Sequence, residues 1–313
     1  MTIRRPYVVT FAALALALAL GACTAPAGVS TSPAPAVDLP AFRVYHSPTQ
    51  RVVTFAELAA TASRADMVFF GEQHDDPETH FAELALLEAI GRARPRVVLS
   101  LEMFERDVQP LLDDYLAGRI PESEFLAKSR PWDRYATDYR PLVQLARARG
   151  WRVVAANVPR PIASAVSRKG LAALDTLPAE SRSWVARDIS CPHDSYYARF
   201  AATMQGHGAP GSAADSAMMN RFYEAQCIKD ETMSESIASA RTATPGAIVV
   251  HFNGAFHSDF GLGTAERAKR RAPDAKSVVV TAIPVASPSS AALGEHATRA
   301  EFVIFTKKPP AKQ

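Results

Sequence analysis

Six short, mostly apolar runs recur along the chain: Met67 to Phe70, Val97 to Leu101, Trp151 to Ala155, Ala247 to Phe252, Val278 to Ala282 and Phe302 to Phe305. They are rich in β-branched residues and do not alternate polar with apolar, the pattern of strands covered on both faces. Helical patterns separate most of them. One starts at Asp76 as cap, with Pro77 in the first turn and Phe81, Leu84 and Leu87 on one stripe up to Gly91; another runs from Arg140 to Gly150. Strand, helix, strand in repetition predicts a mostly parallel sheet flanked by helices, an α/β fold with right-handed crossovers. Between Ala155 and Ala247 lie about 90 residues, too many for one crossover. Residues 161–245 therefore read as an inserted all-helical subdomain, whose best helix spans Ala213 to Ala240, and residues 41–160 plus 246–313 as the α/β domain.

The N-terminus has a different purpose. Arg4 and Arg5 precede an unbroken apolar run from Val8 to Leu20, short for a membrane span, so residues 1–22 read as a secretory signal peptide. The run ends Leu20-Gly21-Ala22-Cys23, similar to a bacterial lipobox, which makes Cys23 the expected lipidation site. Residue 24 is threonine rather than aspartate, which by the Gram-negative sorting rule favours an outer-membrane lipid anchor with the folded part facing the periplasm. Residues 23–40, rich in Pro, Ala and Ser, read as a flexible linker. Cleavage removes Arg4 and Arg5, leaving 33 basic against the 32 acidic residues of the chain and a formal charge of +1, so nothing favours nucleic acid as a partner. With Cys23 lipidated, Cys191 and Cys227 form an even pair in an oxidising compartment and are expected to be disulfide-bonded. A haem thiolate at Cys191-Pro192 is the alternative.

The chemistry collects at the strand exits. GEQHDD follows the first run, LEMFER the second, NVPR the third and NGAFHSDFG the fourth, all polar, where a parallel sheet builds its ligand crevice. Two exits share the phrase Gly-x-x-His, Gly71 to His74 and Gly254 to His257, with glycines expected to let the chain turn sharply. Glu72, His74, Glu102, Asn157 and His257 are thus expected to converge, with His80 as an outer member. Imidazole and carboxylate suit a divalent metal, held by His74, His257 and Glu102, or proton transfer without one. No HExxH, Gly-x-Ser-x-Gly or Gly-rich phosphate loop is present.

The helical insertion carries a second cluster. Tyr223, Gln226 and Asp230 are spaced by three and four on the long helix, flanked by Met219 and Met233. Upstream lie His193, Tyr196, Tyr197, Met204 and His207, the last opening a mobile-looking loop, HGAPGSAAD. Tyr, His and Met are common haem ligands, whereas aromatics in a small helical unit also serve as its core.

Taken together, GEQHDD with His80, LEMF, the Trp132 region, NVPR, YEAQ with KDETM, and NGAFHSDFGLGT resemble the ChaN family of haem-binding lipoproteins, part of a superfamily with TraB and Tiki proteins and erythromycin esterases. The resemblance covers Val52 to Arg267. It implies an α/β core with a helical subdomain, haem as cofactor and cargo in iron acquisition, and tyrosine ligation with histidine support, with a homodimer sharing the haem as one arrangement. An outer-membrane haem receptor is the partner such a role implies. The haem candidates are Tyr197, Tyr196, Tyr223, His193 and His207. The wider superfamily implies a rival, a metal-dependent hydrolase using Glu72, His74, Glu102 and His257.

Overall fold

A computed structural model describes residues 42–205 and 213–309. The signal segment, Cys23, the linker, His207 and most of the loop it opens lie outside the described residues. Eight strands form one sheet: β1 (Arg43–His46), β2 (Arg51–Val53), β3 (Met67–Glu72), β4 (Val97–Glu105), β5 (Arg152–Asn157), β6 (Ile248–Gly254), β7 (Ser277–Val285) and β8 (Phe302–Lys307), in the order β2-β1-β8-β7-β3-β6-β4-β5. From β8 to β5 every pairing is parallel, so the expected mostly parallel α/β fold is what forms. The six apolar runs are the six parallel strands. β1 and β2 add an antiparallel edge hairpin that the apolar pattern did not mark. Both are short, and Arg51 and Val52 of β2 are exposed, as befits an edge.

Among the described residues ten α-helices accompany the sheet. α1 (Phe55–Ala62), α2 (Pro77–Ala93), α3 (Gln109–Leu116), α4 (Glu122–Ser129) and α5 (Arg140–Arg149) precede the long connection, which holds α6 (Arg160–Lys169), α7 (Ala179–Ser183), α8 (Ser195–Gln205) and α9 (Ala213–Ala243); α10 (Gly263–Arg271) follows β6. The period-2 alternation of side chains splits each strand between two cores. On one face Leu86, Leu87 and Ile90 of α2 and Leu142 and Val143 of α5 pack over Val68, Phe70, Leu99 and Val250. On the other, Met233, Ile237 and Ala240 of α9 and Ala265 and Ala268 of α10 cover Met67, Phe69, Val98 and Val249. Each large apolar side chain so buried contributes roughly 1.5–3 kcal/mol.

Two local expectations shift. α2 begins at the Asp76 cap, whose carboxylate accepts from the Glu78 amide at 3.2 Å, but it runs through Gly91 to Ala93. Gly91 is there because the Trp151 indole lies where its Cβ would be. The buried face of α2 is Ala82, Glu83, Leu86, Leu87 and Ile90, while Phe81 and Leu84 are only half-buried.

Within the long connection every regular element among the described residues is helical. Its last part, the C-terminal half of α9, is the crossover helix that lies on the sheet. The N-terminal half packs instead with α6, Ala225 and Ile228 meeting Ile162 and Val166, and with α8, where Tyr196, Phe200, Tyr223 and Cys227 form a small core of their own. Cys191 and Cys227 are disulfide-bonded, with Cα atoms 5.8 Å apart, so neither thiolate remains for iron. A buried charge knot fastens α9 to α10: Glu231 accepts from Arg267 at 3.2 Å and Arg270 at 2.6 Å and lies 2.5 Å from Arg271.

The chain steps from β3 outward to β4 and β5, then returns through α9 to β6, between β3 and β4, before continuing to β7 and β8 on the other side. Strand order therefore reverses beside β6. A crevice opens at such a switch point, outside the carboxyl ends of the strands.

Candidate functional site

The four polar exits belong to four adjacent strands, β3, β6, β4 and β5. The register places Gly71 beside Asn253 and Glu72 beside Gly254, so the two Gly-x-x-His phrases leave the sheet side by side. Neither glycine has a positive φ, and the sharp turn expected of them does not occur. They are needed for close approach. A Cβ on Gly71 would sit 2.9 Å from Ala255 Cα and 3.1 Å from Ser258 Oγ, and one on Gly254 would sit 2.8 Å from both Cε1 and Nε2 of His74. The His74 ring thus lies flat on the end of β6.

Two carboxylate–imidazole clusters flank that contact. In the first, Glu72 is buried and its Oε1 accepts from His74 Nδ1 at 2.5 Å and from the Tyr139 hydroxyl at 2.7 Å. Burial pulls the His74 imidazole down, yet the hydrogen bond and charge of Glu72, with Glu102 behind, leave it raised above the ordinary histidine value. Tyr139 comes from a π-helical turn, Tyr135–Tyr139, and burial next to Glu72 keeps its hydroxyl protonated. His80 joins from the first turn of α2, with Nδ1 2.9 Å from Glu83 Oε2 and Nε2 3.3 Å from Asp138 Oδ2.

The second cluster is centred on His257. Its Nδ1 lies 2.8 Å from Asp230 Oδ1 on α9 and its Nε2 3.3 Å from Glu102 Oε1 at the exit of β4. Burial alone would lower this imidazole, but the charges of Glu102 and Asp230 and their hydrogen bonds push it up to about 10. Burial in turn would raise Glu102, whereas the His257 charge and hydrogen bond, His74, and the Gly254 amide at 2.8 Å hold it well below the usual carboxylate range. His257 thus sits between two carboxylates whose charges favour its protonated form. Asp230 also accepts from the Tyr196 hydroxyl at 2.7 Å and Thr264 at 2.8 Å, and Gln226 lies 3.3 Å from His257. One strand turn below, His251 is held neutral by burial, down to about 3, with Nδ1 2.9 Å from Ser100 Oγ.

Of the five central candidates, Glu72, His74, Glu102 and His257 meet around the Gly254 contact. Asn157 does not face them: its side chain donates to the Glu102 carbonyl at 3.1 Å and accepts from the Val158 amide, shaping the β5 exit. Gln226 and Asp230, read as second-tier residues, reach the site, because α9 lays that stripe against His257. Glu83, Asp138, Tyr139 and His251 belong to the site without having been anticipated. The three-residue spacing of His80 and Glu83 and the lone histidine inside the strand IVVHF were available signals; Asp138 and Tyr139 carried none. The crevice opens to solvent through His74, whose side chain is 49% exposed, onto a cavity of about 270 Å³ lined also by Trp132, Arg134, Tyr139 and Arg160.

The haem candidates on α8 and α9 divide sharply. Tyr196 and Tyr223 are buried, with hydroxyls donated to Asp230 and to the Pro192 carbonyl at 2.7 Å. Burial and Asp230 push the Tyr196 phenol well up, and burial raises Tyr223 to about 12. Tyr197 is half-buried, stacked on the exposed His193 ring at 3.8 Å, with its hydroxyl 3.0 Å from Asn220 Oδ1.

An α/β sheet with paired carboxylate–imidazole clusters at its switch point defines the class. Residues 58–268 match the family model described as "Haem-binding uptake, Tiki superfamily, ChaN", and the chain belongs to that family. Among solved structures, "Cofacial heme binding to ChaN of Campylobacter jejuni" aligns with TM-score 0.62 and 14% identity over 84% of this chain and 96% of that one, a likeness of fold. The type III effector HopBA1 aligns at TM-score 0.46 and 12% identity over 84% and 99%, and an erythromycin esterase mutant in its open conformation at 0.45 and 12% over 87% and 84%. No curated protein sequence matches significantly.

Proposed function

We propose that this chain is a haem-binding lipoprotein of iron acquisition, tethered through Cys23 to the outer membrane with its folded part in the periplasm. In this reading it takes haem from, or passes it to, an outer-membrane receptor. Membership of a haem-binding uptake family supports haem as the ligand. One observation carries the choice of ligating residue: among the described residues every tyrosine is buried except Tyr197. A phenolate ligand to iron must reach solvent-borne haem, and Tyr196 and Tyr223 would have to break buried hydrogen bonds to do so.

The surroundings of Tyr197 fit a flat apolar macrocycle. Met204, Met219 and Phe222 are partly buried against the same aromatic core, and His193 stacks on the Tyr197 ring as a supporting group. A second copy closing over the haem would be in keeping with the cofacial binding named for the Campylobacter jejuni protein.

The test is a haemin titration of the full-length protein in detergent, read by the Soret band and by native mass analysis. Saturable binding is expected, with Tyr197→Phe weakening it by about tenfold or more, equivalent to 1.4 kcal/mol, and Tyr223→Phe leaving the spectrum unchanged. An unaltered Soret band in Tyr197→Phe, or no saturable binding, would sink this assignment.

A further inference from the structure

Beneath the crevice, behind Tyr139, three buried side chains face one another. Glu72 comes from the end of β3; His80 and Glu83 come from one face of α2, three residues apart. One ligand atom from each lies within 4.8 Å of the others, and all three residues are buried. Glu72 Oε1 is fully used by His74 and Tyr139, which leaves Oε2 aimed inward without a partner. Glu83 Oε1 is likewise buried and partnerless. Glu72 is 1% exposed and Glu83 0%, so neither oxygen reaches bulk solvent.

His80 is supported from the far side. Its Nε2 faces two acceptors, Asp138 Oδ2 at 3.3 Å and the His74 carbonyl at 3.2 Å, so Nε2 can carry the ring proton when Nδ1 serves as a ligand. In that tautomer the Nδ1 lone pair points at the carboxylates, 2.9 Å from Glu83 Oε2 and 4.0 Å from Glu72 Oε2. A carboxylate behind a histidine whose other nitrogen faces anionic oxygens is the usual outer support of a metal-bound imidazole. Arg134 pairs with Asp138 and His74 with Glu72, yet apart from His80 no cationic group is paired with Glu83 among the described residues.

We propose that Glu72, His80 and Glu83 form a binding site for a first-row divalent cation, with Asp138 as the positioning residue behind His80. Ligand atoms about 2.0–2.2 Å from an ion stand at most about 4.4 Å apart, so the cluster needs to contract by only a few tenths of an ångström. One imidazole and two carboxylates, without thiolate, suit Zn²⁺ or Mn²⁺ rather than a soft ion. His80 also borders a groove of about 640 Å³ lined by Phe81, Leu84 and Asp138, which gives an ion a way in.

The experiment titrates haem-free, metal-stripped full-length protein with ZnCl2 and with MnCl2, by calorimetry and by thermal midpoint. One saturating equivalent is expected, with a midpoint that climbs as metal concentration rises. Glu83→Gln keeps the shape but not the charge: it should fold at least as well without metal, and lose at least about tenfold in affinity together with the metal-dependent rise. Asp138→Asn should cost about 10–100-fold. Tyr197→Phe should bind metal as the wild type does, which separates this site from the haem assignment. Absence of saturable binding to folded protein means that Glu83 holds a proton instead, and the proposal fails. Wild-type affinity in Glu83→Gln would place any ion elsewhere and overturn it equally.

Discussion

Replacing His257 by glutamine tests the electrostatics of the crevice most directly. The imidazolium is buried between Asp230 and Glu102, and its pKa is raised from 6.5 to about 10. A raised histidine stabilises the fold fully below about pH 6.5, where both folded and unfolded states are protonated. The contribution is lost as pH rises through the folded value. Between pH 7 and 9.5 a shift of that size removes about 3 kcal/mol, an upper figure because the pair shares one interaction. Glu102 works in the opposite sense: lowered from 4.5, it contributes above about pH 4.5 and that contribution is lost as pH falls further. Urea denaturation of wild type should therefore show a plateau between about pH 4.5 and 6.5 and a decline on the alkaline side. His257→Gln leaves two buried carboxylates without their cation, so it should lose about 3–5 kcal/mol near neutrality. It should also lose the alkaline decline and gain stability as acid protonates Glu102. Parallel pH profiles for the two proteins, offset or not, would refute the imidazolium assignment.

Two further outcomes follow from packing and covalent structure. Gly71→Ala places a methyl 2.9 Å from the backbone of Ala255, where no flexible side chain can yield, and should cost roughly 1–3 kcal/mol by denaturant titration; wild-type stability would show that the β6 exit is not rigidly held. Reduction of Cys191–Cys227, or replacement of both by serine, opens a loop with a sequence separation of 36 and should lower stability by about 3–4 kcal/mol. An unchanged midpoint would mean that the unfolded chain gains nothing from release.

The parallel sheet was legible because buried strands leave apolar runs that nothing else in a chain of this composition explains. The edge hairpin was not, since three- and four-residue strands with Arg43 and Arg51 carry too little pattern. At the site, residues lying just past strand ends were found by position alone. Those contributed by helices were found where a stripe was conspicuous, as with Tyr223, Gln226 and Asp230, or where they lay one turn past a strand exit, as with His80. Glu83 lay hidden for a physical reason: a glutamate on an otherwise apolar helix face reads as solvent-exposed until its helix is known to bury it. Even the paired glycines were recognised correctly and explained wrongly, because close approach between two strand exits is invisible to a reading of single segments.

That closeness bears on why a haem carrier would keep so polar a crevice. Tyr196 and Tyr197 are neighbours on α8, about 100° apart around the helix. Tyr196 turns inward and donates to Asp230, which holds His257, which holds Glu102 at the sheet end. Arg267, itself tied to Glu231, caps the Tyr196 ring at 5.1 Å. α8 also meets the body through a small aromatic core and through Arg199, which donates to the Phe256 carbonyl at 2.9 Å and pairs with Asp259 at 3.4 Å. The buried chain from Tyr196 to Glu102 and the Arg199 contacts together hold the rotation of α8 that leaves Tyr197 half-buried rather than buried. In this arrangement the charged crevice and the surface tyrosine are two ends of one scaffold: the polar strand exits that invite a catalytic reading also set the orientation of the residue proposed to meet iron.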